Sequence, residues 1–342
     1  MGAVVEWVNK ITLKNLRKNV LMDEFKNNYP ASSIILEDYF SKAIEQDKIF
    51  LPDLSFENDT IFILSDYGGE SSNSKYLTFS FLLCSYKQLA PFYEEMSKIR
   101  EKNGLNEPSK EISFKDFHYG PISRSLDDYL KAINILVPGL IFTLVVNKNV
   151  QTVFGNDKKS AQKFLTKTLK EYGFGDWKPN VAEKLILILH SMSYLIGLLS
   201  KDNQKLFWMT DNDAIAPNKE KFNITLDLFS RILNLYTKNK FEPFGGATPF
   251  EEKDYKFLDL LSIPDIVAGS IEHYLTRDKK MEDLTVSEGA NKVLMWLALD
   301  GISLKKQSII INRISGGLQY GILKFNLKEP PEDIQYVPIF KK

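Results

Sequence analysis

Two short apolar runs, far apart in the chain, lead into the same side chain. Thr60-Ile-Phe-Ile-Leu-Ser ends at Asp66, and Lys205-Leu-Phe-Trp-Met-Thr ends at Asp211. Runs of this length and composition read as buried strands. In an open α/β sheet the carboxyl ends of the strands border the ligand crevice, so an acid there is held rigidly yet reaches solvent. Two further acids join them: Glu111 in Lys110-Glu-Ile-Ser-Phe114, and Asp265 in Leu260-Leu-Ser-Ile-Pro-Asp-Ile-Val-Ala-Gly269. Four such carboxylates could bind two hard cations, magnesium or manganese, through oxygen. Two such ions about 3.5–4 Å apart activate an attacking water and stabilise a leaving oxygen, the chemistry of phosphodiester cleavage.

Each acid also has a plain structural reading. Asp favours turns, and Asp66 before Tyr67-Gly-Gly69 is a good turn starter. Ser262-x-x-Asp265 fits a capping box, with Pro264 in the first turn of a helix beginning near Ser262. Lys110-Glu111 fits a solvated strand edge. Asp213, two residues past Asp211 and on the same side of an extended segment, is a second choice for that position. Asp211 or Asp213 with Glu251-Glu-Lys253 would supply the acid-x-Lys element of a restriction-type nuclease, although charged triplets in loops are usually just solvated.

The elements that must position these acids follow from periodicity. Amphipathic helices are expected over 5–28 and 32–46, separated by Pro30. Strands are expected over 60–66 and 76–84 as a hairpin, then at Gly139–Asn147 and over 205–211. Helices are expected over 86–102, from Ser125 with Asp128 completing a capping box, as a pair within 157–200, and over 219–236, 262 onward and 286–299. A loop containing Gly245-Gly246 precedes the helix that carries Asp265. Two strands, 307–313 and 318–327, meet at Ser315-Gly-Gly317, and the tail is Pro-rich. Alternating strands and helices with an early hairpin indicate an α/β fold with a mixed sheet flanked by helices.

The order and spacing of the four acidic motifs resemble a prokaryotic ribonuclease-H-like family known only as a domain of unknown function. Its members open with a strand ending in Asp-Glu-Ser-Gly and carry a Lys-Glu pair in the middle. They place an Asp at the end of a later strand, then a helix start of the type Leu-Gln-Leu-Ala-Asp-Leu-Ile-Ala-Gly. Here Leu260 to Gly269 matches the last motif, Lys110-Glu111 the second and Asp211 the third. The opening departs, since Tyr67-Gly68-Gly69 follows Asp66, with Glu70 close by. Pro264 stands where Ala is usual. The resemblance spans about residues 60–276. It implies a ribonuclease-H-like fold, Asp66, Glu111, Asp211 and Asp265 as catalytic metal ligands for Mg2+ or Mn2+, and cleavage of RNA or DNA. Residues 56–280 would form that domain. Residues 1–55 would be a helical N-terminal extension, and 281–342 an α+β C-terminal extension of a helix and a hairpin packed on it.

Composition sets the outer bounds. The 342 residues are 44% hydrophobic and 26% charged, an ordinary globular balance, and 23 Phe with 15 Tyr can build a large core. Lys and Arg (44) cancel Asp and Glu (44), so nucleic-acid contact must rest on local patches. The best patch is Lys158, Lys159, Lys163, Lys167 and Lys170, the last four at helical spacing. Lys159, Lys163 and Lys167 are the candidate substrate contacts, with Tyr172, Phe174 and Trp177 as stacking surfaces. A solvated helix face is the plainer reading of the same residues. Cys84, the single cysteine, lies in an apolar run and reads as a buried small hydrophobe. His190 reads as a core residue, His118 as a conceivable proton relay near Glu111, and His273 carries no signal. No nucleophile elbow and no phosphate-cradling loop is present. No segment reads as a membrane span and no signal-peptide core opens the chain, so a cytoplasmic location is expected. The rival to a nuclease is a non-catalytic ribonuclease-H-like module that binds a protein partner through its terminal helices. Self-association is open under either reading.

Overall fold

The computed structural model describes residues 2–11, 30–46, 49, 51–248, 257–277, 287–315 and 317–326. The run 61–64 is buried on both sides: Ile61 and Ile63 join one apolar cluster, Phe62 and Leu64 the other. A strand covered on both faces must be apolar throughout, which is why this one is so plain in the sequence. It forms β2 (Thr60–Gly68) at the middle of a sheet.

The other strands, in chain order, are β1 (Gly2–Ile11), β3 (Tyr76–Ser85), β4 (Gly139–Asn147), β5 (Gln204–Thr210), β6 (Phe241–Ala247), β7 (Leu304–Ile314) and β8 (Gly317–Asn326). Among the described residues they make one eight-stranded sheet in the order β1-β8-β7-β4-β3-β2-β5-β6. β2, β3 and β4 are an antiparallel meander. β5 pairs parallel with β2, β6 with β5, and β7 with β4. The outer pairs, β7 with β8 and β8 with β1, are antiparallel. The fold is therefore α/β with a mixed sheet, as expected.

Helices cover both faces. α1 (Ala31–Glu45), α4 (Lys158–Glu171), α5 (Pro179–Leu199) and α6 (Lys219–Leu233) pack on the face that buries Ile61 and Ile63. α2 (Ala90–Asn103), α3 (Gly120–Leu136), α7 (Leu258–Thr276) and α8 (Glu288–Ala298) pack on the face of Phe62 and Leu64. α5 corrects one expectation, because its 21 residues have the length and apolar composition of a membrane span. Here it is a core helix, with Leu185 to Ile196 buried against the sheet and its neighbours.

Three further expectations change. Residues 2–11 form a strand on β8, not the start of a helix over 5–28, and residues 12–28 lie outside the described residues. Val4, Val5, Trp7 and Val8 are good strand formers whose pairing partner lies more than 300 residues away, where no local period reveals it. The Gly245-Gly246 loop is the edge strand β6, which tolerates Gly and Pro243 because only one side is paired. α3 begins at Gly120, so Ser125 is interior and donates to the Ile122 carbonyl at 3.0 Å, while Asp128 pairs with Lys102. The segment from 281 contributes α8 to the second face and β7–β8 to the sheet itself. The Pro-rich tail lies outside the described residues.

Candidate functional site: a group of carboxyls at the carboxyl edge of the sheet

β2 and β5 run parallel, with Ser65 opposite Thr210. One residue further brings Asp66 level with Asp211 on strands about 4.8 Å apart. Alternation carries both side chains to the face of Phe62, Leu64 and Met209, the face covered by α7. Asp66 lies inside β2, opposite Ser80 of β3, rather than past the strand's end. Asp211 is the first residue after β5.

α7 lies across β2 and β3 and lowers Asp265 onto Asp66, close enough for each carboxyl to shift the titration of the other. The capping reading of Asp265 fails. The helix begins at Leu258, Pro264 is interior, and the Ser262 hydroxyl donates back to the Leu258 carbonyl at 2.8 Å. Asp265 instead accepts the Phe114 backbone N–H at 2.8 Å. Gly269, one turn on, permits this approach, since a Cβ there would lie 2.4 Å from the Phe114 ring. The closing glycine of the sequence motif is thus a packing requirement for Asp265's hydrogen-bond donor.

Glu111 sits just before the single helical turn Phe114–Asp116, half-buried, and accepts from Lys115 Nζ at 3.3 Å. Arg100 fixes the approach to this segment. Its guanidinium makes a two-pronged contact with Asp259 at the start of α7, with Nη2 to Oδ1 at 2.6 Å and Nε to Oδ2 at 2.9 Å. It also donates to the Leu105 and Lys110 carbonyls at 3.1 and 2.8 Å.

The acids perturb one another. Burial first, then the neighbouring Asp265 and Asp211 charges, hold the Asp66 carboxyl well above the ordinary carboxylate range. Burial raises Asp265 to about 6 against the opposing Phe114 N–H, with Glu111 adding to the rise. Burial also raises Asp211, whose Oδ1 accepts the Asn212 N–H at 2.7 Å. Asp66 and Asp265 therefore titrate as a pair that retains a proton where isolated carboxyls have lost theirs. Exposed Lys115 is the cation whose charge reaches Glu111, Asp211 and Asp265.

Among the described residues, no three acid, histidine or cysteine side chains close around one point as a metal cage. The donor chemistry nonetheless fits a hard cation at the Asp66–Asp265 contact, where two carboxyls meet with Asp211 on the neighbouring strand. Glu111 is turned to Lys115 and would have to exchange that partner to join them.

Other candidates are placed elsewhere. Asp213 accepts from Lys184 Nζ at 2.5 Å and from the Ile215 N–H at 2.7 Å, and Glu70 also accepts from Lys184, at 2.6 Å. Both acids belong to a cluster around Lys184, a residue with no distinguishing mark in the sequence. Lys159, Lys163 and Lys167 are exposed on α4, which packs on the opposite face of the sheet from α7, so the structure does not bring them to the acids. Lys167 faces Glu171 at 3.5 Å. His190 is buried, as expected, with Nδ1 2.6 Å from the Tyr236 hydroxyl, and burial lowers it to about 3. Cys84 is buried, also as expected. His118 is exposed. Glu251 and Lys253 lie outside the described residues. Sequence reasoning missed Arg100, Phe114 and Lys115 as supports of the site, and of these only Phe114 stood inside a quoted motif, with Lys115 the next residue along.

No protein-family model and no curated protein matches the chain. Among solved structures, ribonuclease H2 from Pyrococcus horikoshii OT3 is similar over 70% of this chain and 85% of that one, with 12% identity and a TM-score of 0.33. A likeness of that size transfers neither activity nor residue roles.

Proposed function

We propose that the chain is a metal-dependent nuclease of ribonuclease-H-like fold, with Asp66, Glu111, Asp211 and Asp265 as its catalytic carboxylates and Mg2+ or Mn2+ as its cofactor. The observation that carries this reading is the Asp66–Asp265 contact. Two half-buried carboxyls pressed together oppose folding once ionised, and a fold built for stability alone has no use for them. Asp66 and Asp265 would hold the cation, with Asp211 as a third oxygen donor. A bound divalent cation would acidify its water and polarise a phosphoryl oxygen. The Phe114 N–H fixes the orientation of Asp265. Lys115 Nζ, exposed beside Glu111, is placed to meet a substrate phosphate and thereby release Glu111. Lys159, Lys163 and Lys167 would serve phosphates of a strand that passes around the carboxyl edge to the other face.

The Glu111–Lys115 pair, which neutralises one of the four acids, favours a second reading: a non-catalytic binding module that acts through a protein partner. Labelled single- and double-stranded RNA and DNA, incubated with Mg2+ or Mn2+, separate the two. Cleavage by the wild type that EDTA abolishes and Asp66→Asn lowers at least a hundredfold supports the nuclease. All substrates left intact by the wild type in both metals would leave the binding module.

A further inference from the structure

On the face of the sheet opposite the paired acids, the carboxyl edge opens into a cavity of about 500 Å³. Small-molecule sites typically enclose ~300–1,000 Å³, mostly apolar, with a few convergent polar groups. Phe79 and Leu187 belong to its apolar floor, and three ammonium groups, Lys148, Lys158 and Lys184, stand among its lining. Gln151 adds an amide able to read a hydrogen-bonding edge. Tyr67 and Gly68, which directly follow Asp66, also border it.

Lys184 is the informative residue. Its side chain is 11% exposed and its Nζ sits 4.7 Å from the Tyr67 ring centroid. It bridges Asp213, which is largely sheltered, and Glu70, whose side chain is 60% exposed. An ammonium that is nearly buried cannot leave, whereas an exposed glutamate can swing into water at little cost. Glu70 therefore occupies the place of an exchangeable anion. The cavity's other acid, Glu183, is held by Gln162 at 2.8 Å.

We infer that this cavity binds a nucleotide, its base on the apolar floor and its phosphate on Lys184 in place of Glu70. The site does not depend on cleavage at Asp66. Its occupant is either a nucleotide of a bound strand or a free mononucleotide, which share this chemistry.

The test is calorimetric titration of the full chain with AMP, GMP, CMP and UMP. Saturable binding of at least one is expected, weakened at least tenfold by Lys184→Met and tightened a few-fold by Glu70→Gln, which frees the ammonium. Asp66→Asn should bind as the wild type does, and mononucleotide binding by a wild type that cleaves no substrate would sink the nuclease reading while leaving this one standing. A single-stranded oligonucleotide that displaces the mononucleotide from Asp66→Asn identifies a strand nucleotide as occupant, and additive binding identifies a free one. No saturable binding by the wild type, or equal affinity in Lys184→Met, overturns the inference. Should Lys184→Met fail to fold, the exposed Glu70→Gln decides: unchanged or weaker binding overturns it.

Discussion

Asp66 and Asp265 meet where each is half-buried, so the folded protein keeps a proton there that the unfolded chain gives up near the ordinary value of 3.8. Between that value and about 6, where Asp265 lies, the unfolded chain binds fewer protons, and stability falls as pH rises. Asp265→Asn removes the ionisation while its amide oxygen still accepts the Phe114 N–H. Melting curves should therefore show the variant more stable than the wild type at pH 8, by roughly 1–3 kcal/mol. The difference should close toward pH 4, and a gap that is constant with pH would refute the shared proton. At this scale the sequence supplied Asp66, Asp211 and Asp265 through strand ends and a helix motif. The donor on Asp265 was not legible, because Phe114 is 151 positions away and is brought there by packing alone.

α7 and the segment leading to Phe114 form the support that sets this geometry. Gly269→Ala would gain about 1 kcal/mol of helix propensity, yet its Cβ would strike the Phe114 ring. A net loss of about 1–3 kcal/mol is expected by denaturant unfolding, and any stabilisation would contradict the close contact. Arg100→Met would strand Asp259, which is 8% exposed, along with two carbonyls. Unfolding measurements should show a loss of about 3 kcal/mol or more, as for other sheltered pairs broken on one side. Strands buried on both faces, such as β2 and β4, were legible as unbroken apolar runs. β1 and β6 were not. One depends on a partner at the far end of the chain, and the other, as an edge strand, can carry the Gly and Pro that usually mark loops.

Across the whole molecule, charge is balanced, and the candidate acids and the lysine row stand apart. The acids lie beneath α7 on one face, while the lysines of α4 lie on the other. If those lysines track a strand, replacing Lys159, Lys163 and Lys167 by Gln should lower oligonucleotide affinity and reduce its log–log salt slope by about 2, at ~0.7 per phosphate contact. An unchanged slope would return them to a solvated helix face. The acids themselves need a different readout. A cation bound between Asp66 and Asp265 would replace their shared proton and relieve their repulsion, so it should stabilise the folded protein by mass action. The deciding measurement is the melting temperature at pH 8 across a Mn2+ titration, for the wild type and Asp66→Asn, each with a non-cleavable oligonucleotide. A saturable rise in the wild type that is absent from the variant is the expected result. A well-folded wild type whose melting temperature does not respond to Mn2+ would contradict the metal site.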